Sequence, residues 1–380
     1  MSVIYLTTHV QEDDFASCYR RVSHMPNPAG ENFHGKLLRA LALVEKVHAY
    51  CLPPVALGKL GRNDFESDEI HYSYIYGPTN RYLRALTLPS KLSKRIANEH
   101  QDKEKPFIFY DPLNAILSLT AKKLSALLHA SRIAILTDEI HNITGVSESY
   151  AKRIHDLTSN ADASIALTHG LVDSYGLLEK PHYIQPAYVE EEPVEPYKAD
   201  HPYLYYGGAL FVKDGTKDLI DAFNALHPDY DLIISGHGNY EEEVRRGATA
   251  NPRIKFLGQV DKKEHFALIK GAALCLNPRR YNATLDALAV PSKVMEYLTY
   301  GNVIASTLTT PLRADFGEAI NWIEWDFLSF MQTHLDADGK LINLRQNDAK
   351  SLIVEMYGKN KSAFNLQRFL KNLDASGFRR

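Results

Sequence analysis

Short runs of apolar residues alternate with stretches of helical period along most of this chain. The run Val3 to Leu6 reads as a buried strand, and a loop through Pro26-Asn27-Pro28-Ala29-Gly30 leads into a helix-period segment from Phe33 to Val44. Strand-like runs recur at 107–110, 133–136 and 164–167, with helical patterns at 120–130 and 147–157 between them. Such alternation predicts a mostly parallel sheet with helices on both faces.

From Pro186 to Pro196 the pattern breaks into a segment rich in Pro and Glu, a poor core builder that suits a linker. The rhythm then restarts, with strands expected at 203–206, 231–235, 254–257, 273–277 and 303–306. Helices are expected at 216–226, 240–246, 262–270 and 292–300. The expected organisation is an N-terminal α/β domain over 1–185, a linker over 186–201 and a second α/β domain over 202–358. A last helix within 359–380, from Phe364 to Leu373, is expected to cross back to the first domain. The fold class is thus α/β, two tandem Rossmann-like doubly wound domains facing a cleft. In open parallel sheets ligands sit beyond the carboxyl ends of the strands.

The 380 residues carry 43 Lys and Arg against 46 Asp and Glu, a net charge of −3 that disfavours a nucleic-acid partner. The three cysteines, Cys18, Cys51 and Cys275, lie far apart without metal-ligand spacing, which indicates neither a disulfide framework nor a zinc site. The N-terminus lacks the pattern of a signal peptide, and no apolar run approaches the roughly 18 residues of a membrane span. A cytoplasmic location is expected. The stretch from Arg81 to Lys105 interleaves Arg81, Arg84, Lys91, Lys94 and Arg95 with Leu and Ile. Peripheral contact with an anionic membrane and an ordinary amphipathic surface helix both fit it.

The segment most informative for chemistry runs from Leu276 to Gly301. Ser292 after Pro291 is expected to cap a helix that Gly301 terminates. Lys293 and Glu296 then share one face near an N-terminus whose free N–H groups favour anions. Lys293 and the helix end suit phosphate oxygens, Glu296 suits vicinal hydroxyls, and Arg279 at the end of the preceding strand can converge on the same diphosphate. An exposed Lys293–Glu296 ion pair is the plainer alternative.

These residues, Asn277-Pro278-Arg279 followed by Pro291-Ser292-Lys293, Glu296-Tyr297 and Gly301, resemble the nucleotide-binding signature of bacterial polysaccharide glycosyltransferases of the GT-B fold, close to glycosyltransferase family 4. The similarity extends to Gly207-Gly208, Gly236-His237-Gly238 and Phe256-Leu257-Gly258. More weakly it reaches residues 27–33 and Leu136-Thr137-Asp138. The resemblance implies transfer of a sugar, with retention, from a nucleoside diphosphate donor, commonly UDP, to a glycan or lipid-linked acceptor in envelope polysaccharide synthesis. It further implies that Glu296 holds the ribose while Lys293 and Arg279 neutralise the diphosphate. A nucleotide-sugar epimerase and a non-catalytic sugar-nucleotide-binding subunit are the alternatives.

The chain departs from the family pattern at two places. Leu288 stands eight residues before Glu296, where the family has a first glutamate, and Asn282 and Asp286 are the nearest polar candidates for the donor sugar. Asp214 stands where a phosphate-binding Lys is usual, with Lys213 and Lys217 nearby.

Gly207 and Gly208 after a strand suit either close approach to a phosphate or a tight turn. Gly236-His237-Gly238 has Glu241 at the third glycine position of a dinucleotide fingerprint, which disfavours a nicotinamide or flavin cofactor. His237 is a loop residue that can reach the nucleotide. In the N-terminal half, Gly30, Asn32 and His34 are expected where the first strand hands over to its helix. Asp138 and His141 follow another strand and form the candidate acid–base pair, the Asp orienting the imidazole. No Asp-x-Asp pair stands at a strand end, so no metal and no other cofactor is expected.

Overall fold

The computed structural model describes residues 2–11, 13–14, 28–55, 58–100, 105–143 and 145–376. The Pro26-Asn27 loop and Cys18 lie outside them. The chain divides into one unit of residues 1–188 and 357–380, and a second of residues 189–356.

The first unit is built on an eight-stranded sheet. β1 (Ser2–Thr7) lies between β2 (Lys46–Cys51) and β5 (Phe107–Tyr110), parallel to both. Beyond β2 come β4 (Ile70–Tyr74) and the edge strand β3 (Asp64–Ser67); beyond β5 come β6 (Arg132–Leu136), β7 (Ala163–Ala166) and β8 (His182–Ile184). Only the β3–β4 pair is antiparallel. The central strands bury residues on both faces, as β5 does at all four positions, because helices cover the sheet on either side. The chain leaves β1 in one direction and returns on its other side as β5, which puts the topological switch point between their carboxyl ends.

The helix after β1 runs over Pro28–Ala42 and so starts five residues before the expected Phe33, with Gly30 in its first turn. Leu37, Leu38 and Leu41 on this helix join Val3, Tyr5, Phe107 and Ile133 in one core, which Leu366, Leu370 and Leu373 of the helix Lys359–Ala375 complete. The helix Arg81–Glu99 is capped by Asn80, whose side chain accepts from the Tyr82 and Leu83 N–H groups. It buries Leu88, Leu92 and Ile96 and packs on the helix Ala115–Leu128, leaving Tyr82 and Leu86 outside. This is the geometry of an amphipathic surface helix.

The second unit holds a six-stranded, wholly parallel sheet in the order β11 (Ile254–Gly258), β10 (Asp231–His237), β9 (Tyr203–Ala209), β12 (Leu274–Asn277), β13 (Ile304–Thr307) and β14 (Asn321–Ile323). Counted from β9 this is the order 3-2-1-4-5-6 of the Rossmann fold, whose crevice opens between the first and fourth strands, here β9 and β12. The Pro- and Glu-rich segment is less free than its composition suggests. Val194 is buried, the Lys270 ammonium donates to its carbonyl at 2.7 Å, the Tyr197 N–H donates to the Ala267 carbonyl, and the Glu192 N–H donates to the Tyr300 hydroxyl. From Val189 onward it is the first stretch of the second unit, docked along the helix Lys262–Gly271.

Candidate functional site

At the switch point of the second unit, β9 carries Gly207-Gly208 just before its end at Ala209, and β12 ends at Asn277, followed by Pro278-Arg279. The Tyr297 hydroxyl joins the two strand ends: it accepts from the Gly207 N–H at 3.1 Å and donates to the Leu276 carbonyl at 3.3 Å. Burial pushes its pKa well up, so it stays a neutral bridge.

The helix Ser292–Tyr300 supplies the polar groups. Its cap is Pro291, with extended backbone (φ −66°, ψ 110°) and no side-chain cap bond, so Ser292 is the first helical residue and not the expected cap. Pro has no side-chain acceptor; the Val294 N–H turns back to the Pro291 carbonyl at 3.0 Å, and no side chain caps the first turn. Gly301 follows the helix with extended backbone at a point with no room for a side chain: a Cβ there would lie 2.8 Å from the Tyr297 carbonyl oxygen and 3.2 Å from the Cys275 sulfur.

The Lys293 ammonium donates to the Tyr206 hydroxyl at 3.0 Å and stands 4.1 Å from the centroid of that ring. It thereby lies over Gly208, where φ is +139° and a Cβ would come within 3.0 Å of Lys293 Cε and Nζ. Glu296, one turn on, meets His265 instead, with Oε2 3.1 Å from Nε2. The exposed Lys293–Glu296 pair of the plainer reading is thus replaced by two separate, partly buried contacts.

Arg279 is half-buried in the wall of an open, shallow concavity, which Asn277, Asn282, Asp286, Pro291 and Thr309 also line. Its neighbour Arg280 is held away in a two-pronged pair with Asp218 (2.7 and 2.8 Å). Asn282 and Asp286 carry local structure: the Asn282 oxygen accepts from the Thr284 and Leu285 N–H groups, capping the helix Ala283–Leu288, and Asp286 accepts from the Thr310 N–H. Of the lysines near Asp214, Lys217 pairs with Asp221 on its own helix and Lys213 lies 5.7 Å from the Phe211 ring centroid.

Gly236 has a packing reason. At φ +137°, its added Cβ would overlap the Gly208 carbonyl oxygen, so the ends of β9 and β10 touch backbone to backbone. His237 is exposed and bonds Glu241 at 2.8 Å.

In the first unit the structure corrects two expectations. His34 is 4% exposed, with its Nδ1 2.7 Å from the Tyr5 hydroxyl, so it packs in the core beside β1 and not on the surface; Asn32 is exposed. The second concerns the partner of His141. Its Nδ1 is 2.7 Å from Glu139 Oε1, and Nε2 is 3.7 Å from Glu148, while Asp138 accepts from the Glu139 N–H. Glu139, 6% exposed, is the orienting carboxylate. The switch point itself presents Thr8, whose hydroxyl lies 3.4 Å from Asp111, and the buried His9, which packs against Gly35.

Sequence reasoning gave no role to Tyr205, Tyr206 and His265, and quoted Tyr297 only as part of the signature. Tyr297 had a signal, being a tyrosine next to Glu296 on the buried side of the helix. His265 had none. Among the described residues no group of three His, Cys, Asp or Glu side chains could hold a metal, and no helix is long and apolar enough to cross a membrane.

No protein-family model and no curated protein matches the chain. Solved structures do, over its whole length. Sucrose-phosphate synthase from Thermosynechococcus elongatus is similar with a TM-score of 0.71 at 14% identity, covering 99% of this chain and 100% of that one. Anabaena HepE in complex with UDP and glucose gives 0.68 at 13% (98% and 100% covered), and the lipopolysaccharide outer core galactosyltransferase WaaB gives 0.60 at 15% (98% and 99%). The fold is that of the GT-B glycosyltransferases. At these identities the likeness carries the two-sheet architecture and no residue assignments.

Proposed function

We propose that this protein is a retaining glycosyltransferase of the hexosyltransferase type, close to family 4. It would move a sugar from a nucleoside diphosphate donor, with UDP the expected nucleotide, to a glycan or lipid-linked acceptor. The observation that carries this reading is the grouping of Lys293, an uncapped helix N-terminus at Pro291-Ser292 and Glu296 within one turn of helix beside the β9/β12 switch point. Similarity to proteins solved with UDP and with UDP-glucose supports the choice of nucleotide.

In this reading Glu296 accepts hydrogen bonds from the ribose hydroxyls. The Lys293 ammonium and the helix N–H groups hold the diphosphate, with Arg279 meeting it from the end of β12. As the bond from the anomeric carbon to the diphosphate breaks, these fixed positive groups stabilise the charge that accumulates on the leaving oxygen. The acceptor proton passes to the departing phosphate or to His141, which Glu139 orients. No metal is required. The role would be in cell-envelope or exopolysaccharide synthesis, on the cytoplasmic side of a membrane to which the helix Arg81–Glu99 offers a peripheral contact.

The decisive experiment incubates the protein with UDP-, GDP- and dTDP-sugars, with and without acceptor extract, and follows nucleotide release. Acceptor-dependent release of UDP, unaffected by EDTA, is the expected result. Binding without turnover under every condition would overturn catalysis in favour of a sugar-nucleotide-binding subunit. That second reading has a specific basis in Leu288 and in the engagement of Lys217 with Asp221. A changed sugar nucleotide without acceptor would instead indicate an epimerase.

A further inference from the structure

We infer that His265 is a positioning residue for Glu296, and that through it the protein distinguishes ribose from deoxyribose in the donor nucleotide. The inference rests on the nucleotide reading proposed above.

His265 lies in the first turn of the helix Lys262–Gly271, with its side chain 18% exposed against 26% for Glu296. Its two ring nitrogens face different partners. Nε2 is 3.1 Å from Glu296 Oε2, and Nδ1 is 2.7 Å from the Tyr205 hydroxyl, which is in turn 2.6 Å from the Ser235 hydroxyl. A carboxylate only accepts, so in the neutral ring Nε2 carries the proton and donates to Glu296. Nδ1 then accepts from Tyr205, and Ser235 donates to Tyr205. Burial raises the Tyr205 pKa, so its hydroxyl keeps its proton and fixes this tautomer.

The backbone is shaped around the same ring. A Cβ on Gly207 would lie 2.6 Å from His265 Cε1 and 2.6 Å from the Tyr205 hydroxyl. The glycine at the end of β9 therefore makes room for the imidazole as well as for a ligand.

A Glu side chain has several rotamers and would have to be ordered by each incoming nucleotide. The Ser235–Tyr205–His265 chain holds one carboxylate oxygen, Oε2, from one side before a nucleotide arrives. The interaction matters only when the diol is present. Loss of His265 should therefore weaken ribonucleotides selectively, whereas a merely structural histidine would weaken all nucleotides alike.

The test is calorimetric titration of the full chain with UDP and with 2′-deoxy-UDP. The wild-type protein is expected to prefer UDP by about tenfold or more. His265→Phe should lower UDP affinity by about five- to tenfold, change 2′-deoxy-UDP less than about twofold, and add nothing in a background of Glu296→Ala. Tyr205→Phe, which frees the ring from its tautomer, should show the same selective loss to a smaller extent and serves if the first variant folds poorly. UDP binding with an unchanged ratio in both variants would overturn the inference and leave the nucleotide site standing. Failure of the wild type to bind UDP would overturn both.

Discussion

A Cβ on Gly236 would lie 1.7 Å from the carbonyl oxygen of Gly208, closer than any non-bonded carbon and oxygen can come. The ends of β9 and β10 are thus fused at the level of the main chain, and the turn at Gly208 is braced from behind. Gly236→Ala must move backbone and adopt φ near +137°, so it should cost at least about 2 kcal/mol. Gly258, at φ +67° with nothing within 4 Å of its added Cβ, is the control, and Gly258→Ala should cost about 1 kcal/mol. Thermal unfolding of the two variants checks the order; equal losses would remove the argument from close packing.

In the proposed reading, diphosphate recognition divides between Lys293 and Arg279. Replacing either by Met removes a charge-assisted bond of about 1.5–3 kcal/mol, hence about 10-fold or more in UDP affinity, with uridine binding nearly unchanged. Titration with UDP and uridine separates the two effects, and a parallel fall for both ligands would point to collapse of the site.

The bare helix end at Pro291 makes a further prediction. Pro291→Asp supplies the missing cap acceptor, worth about 1 kcal/mol to the helix, and places a negative charge where the diphosphate should sit. UDP affinity is expected to fall by about tenfold or more while the melting temperature stays within about 3 °C of the parent. Retained affinity would remove the helix N-terminus from the phosphate site.

His141 is oriented by Glu139 at 2.7 Å. If it handles the acceptor proton, Glu139→Gln should lower turnover about as much as His141→Ala does, at least about fivefold. Asp138→Asn, which keeps an oxygen for the Glu139 N–H, should change turnover less than about threefold. Steady-state rates with a UDP-sugar decide, and a larger loss in Asp138→Asn would return the orienting role to Asp138.

Most of the expected strands lie inside the sheets, with the edge strand β11 also legible, whereas β2, an inner strand of the first sheet, was not expected. Phe107–Tyr110, between Pro106 and Asp111, and Leu232–Ile234, between Asp231 and Ser235, are short apolar runs, a pattern that burial on both faces imposes. The edge hairpin of β3 and β4 escaped because its two turn residues are Asp68 and Glu69, both at positive φ (50° and 63°), without the glycine or asparagine that usually marks such a turn. The early start of the helix Pro28–Ala42 escaped because Gly30 reads as loop. In the site, Lys293 and Glu296 were legible because their spacing is set within one helix. His265 was not, since only the packing of the helix Lys262–Gly271 on the helix Ser292–Tyr300 brings it to Glu296. Spacing along a chain reports what one element holds together, and partners delivered by packing leave no trace in it.

The helix Lys359–Ala375 supplies Leu366, Leu370 and Leu373 to the core that Leu37, Leu38 and Leu41 begin, more than three hundred residues earlier in the chain. The second unit is therefore an insertion within the first, entered near residue 188 and left near residue 357. For anyone cutting the protein into pieces, the excisable part is the middle. A fragment stopped at residue 188 would lack a wall of its own core, and residues 357–376 would be carried away with the wrong half.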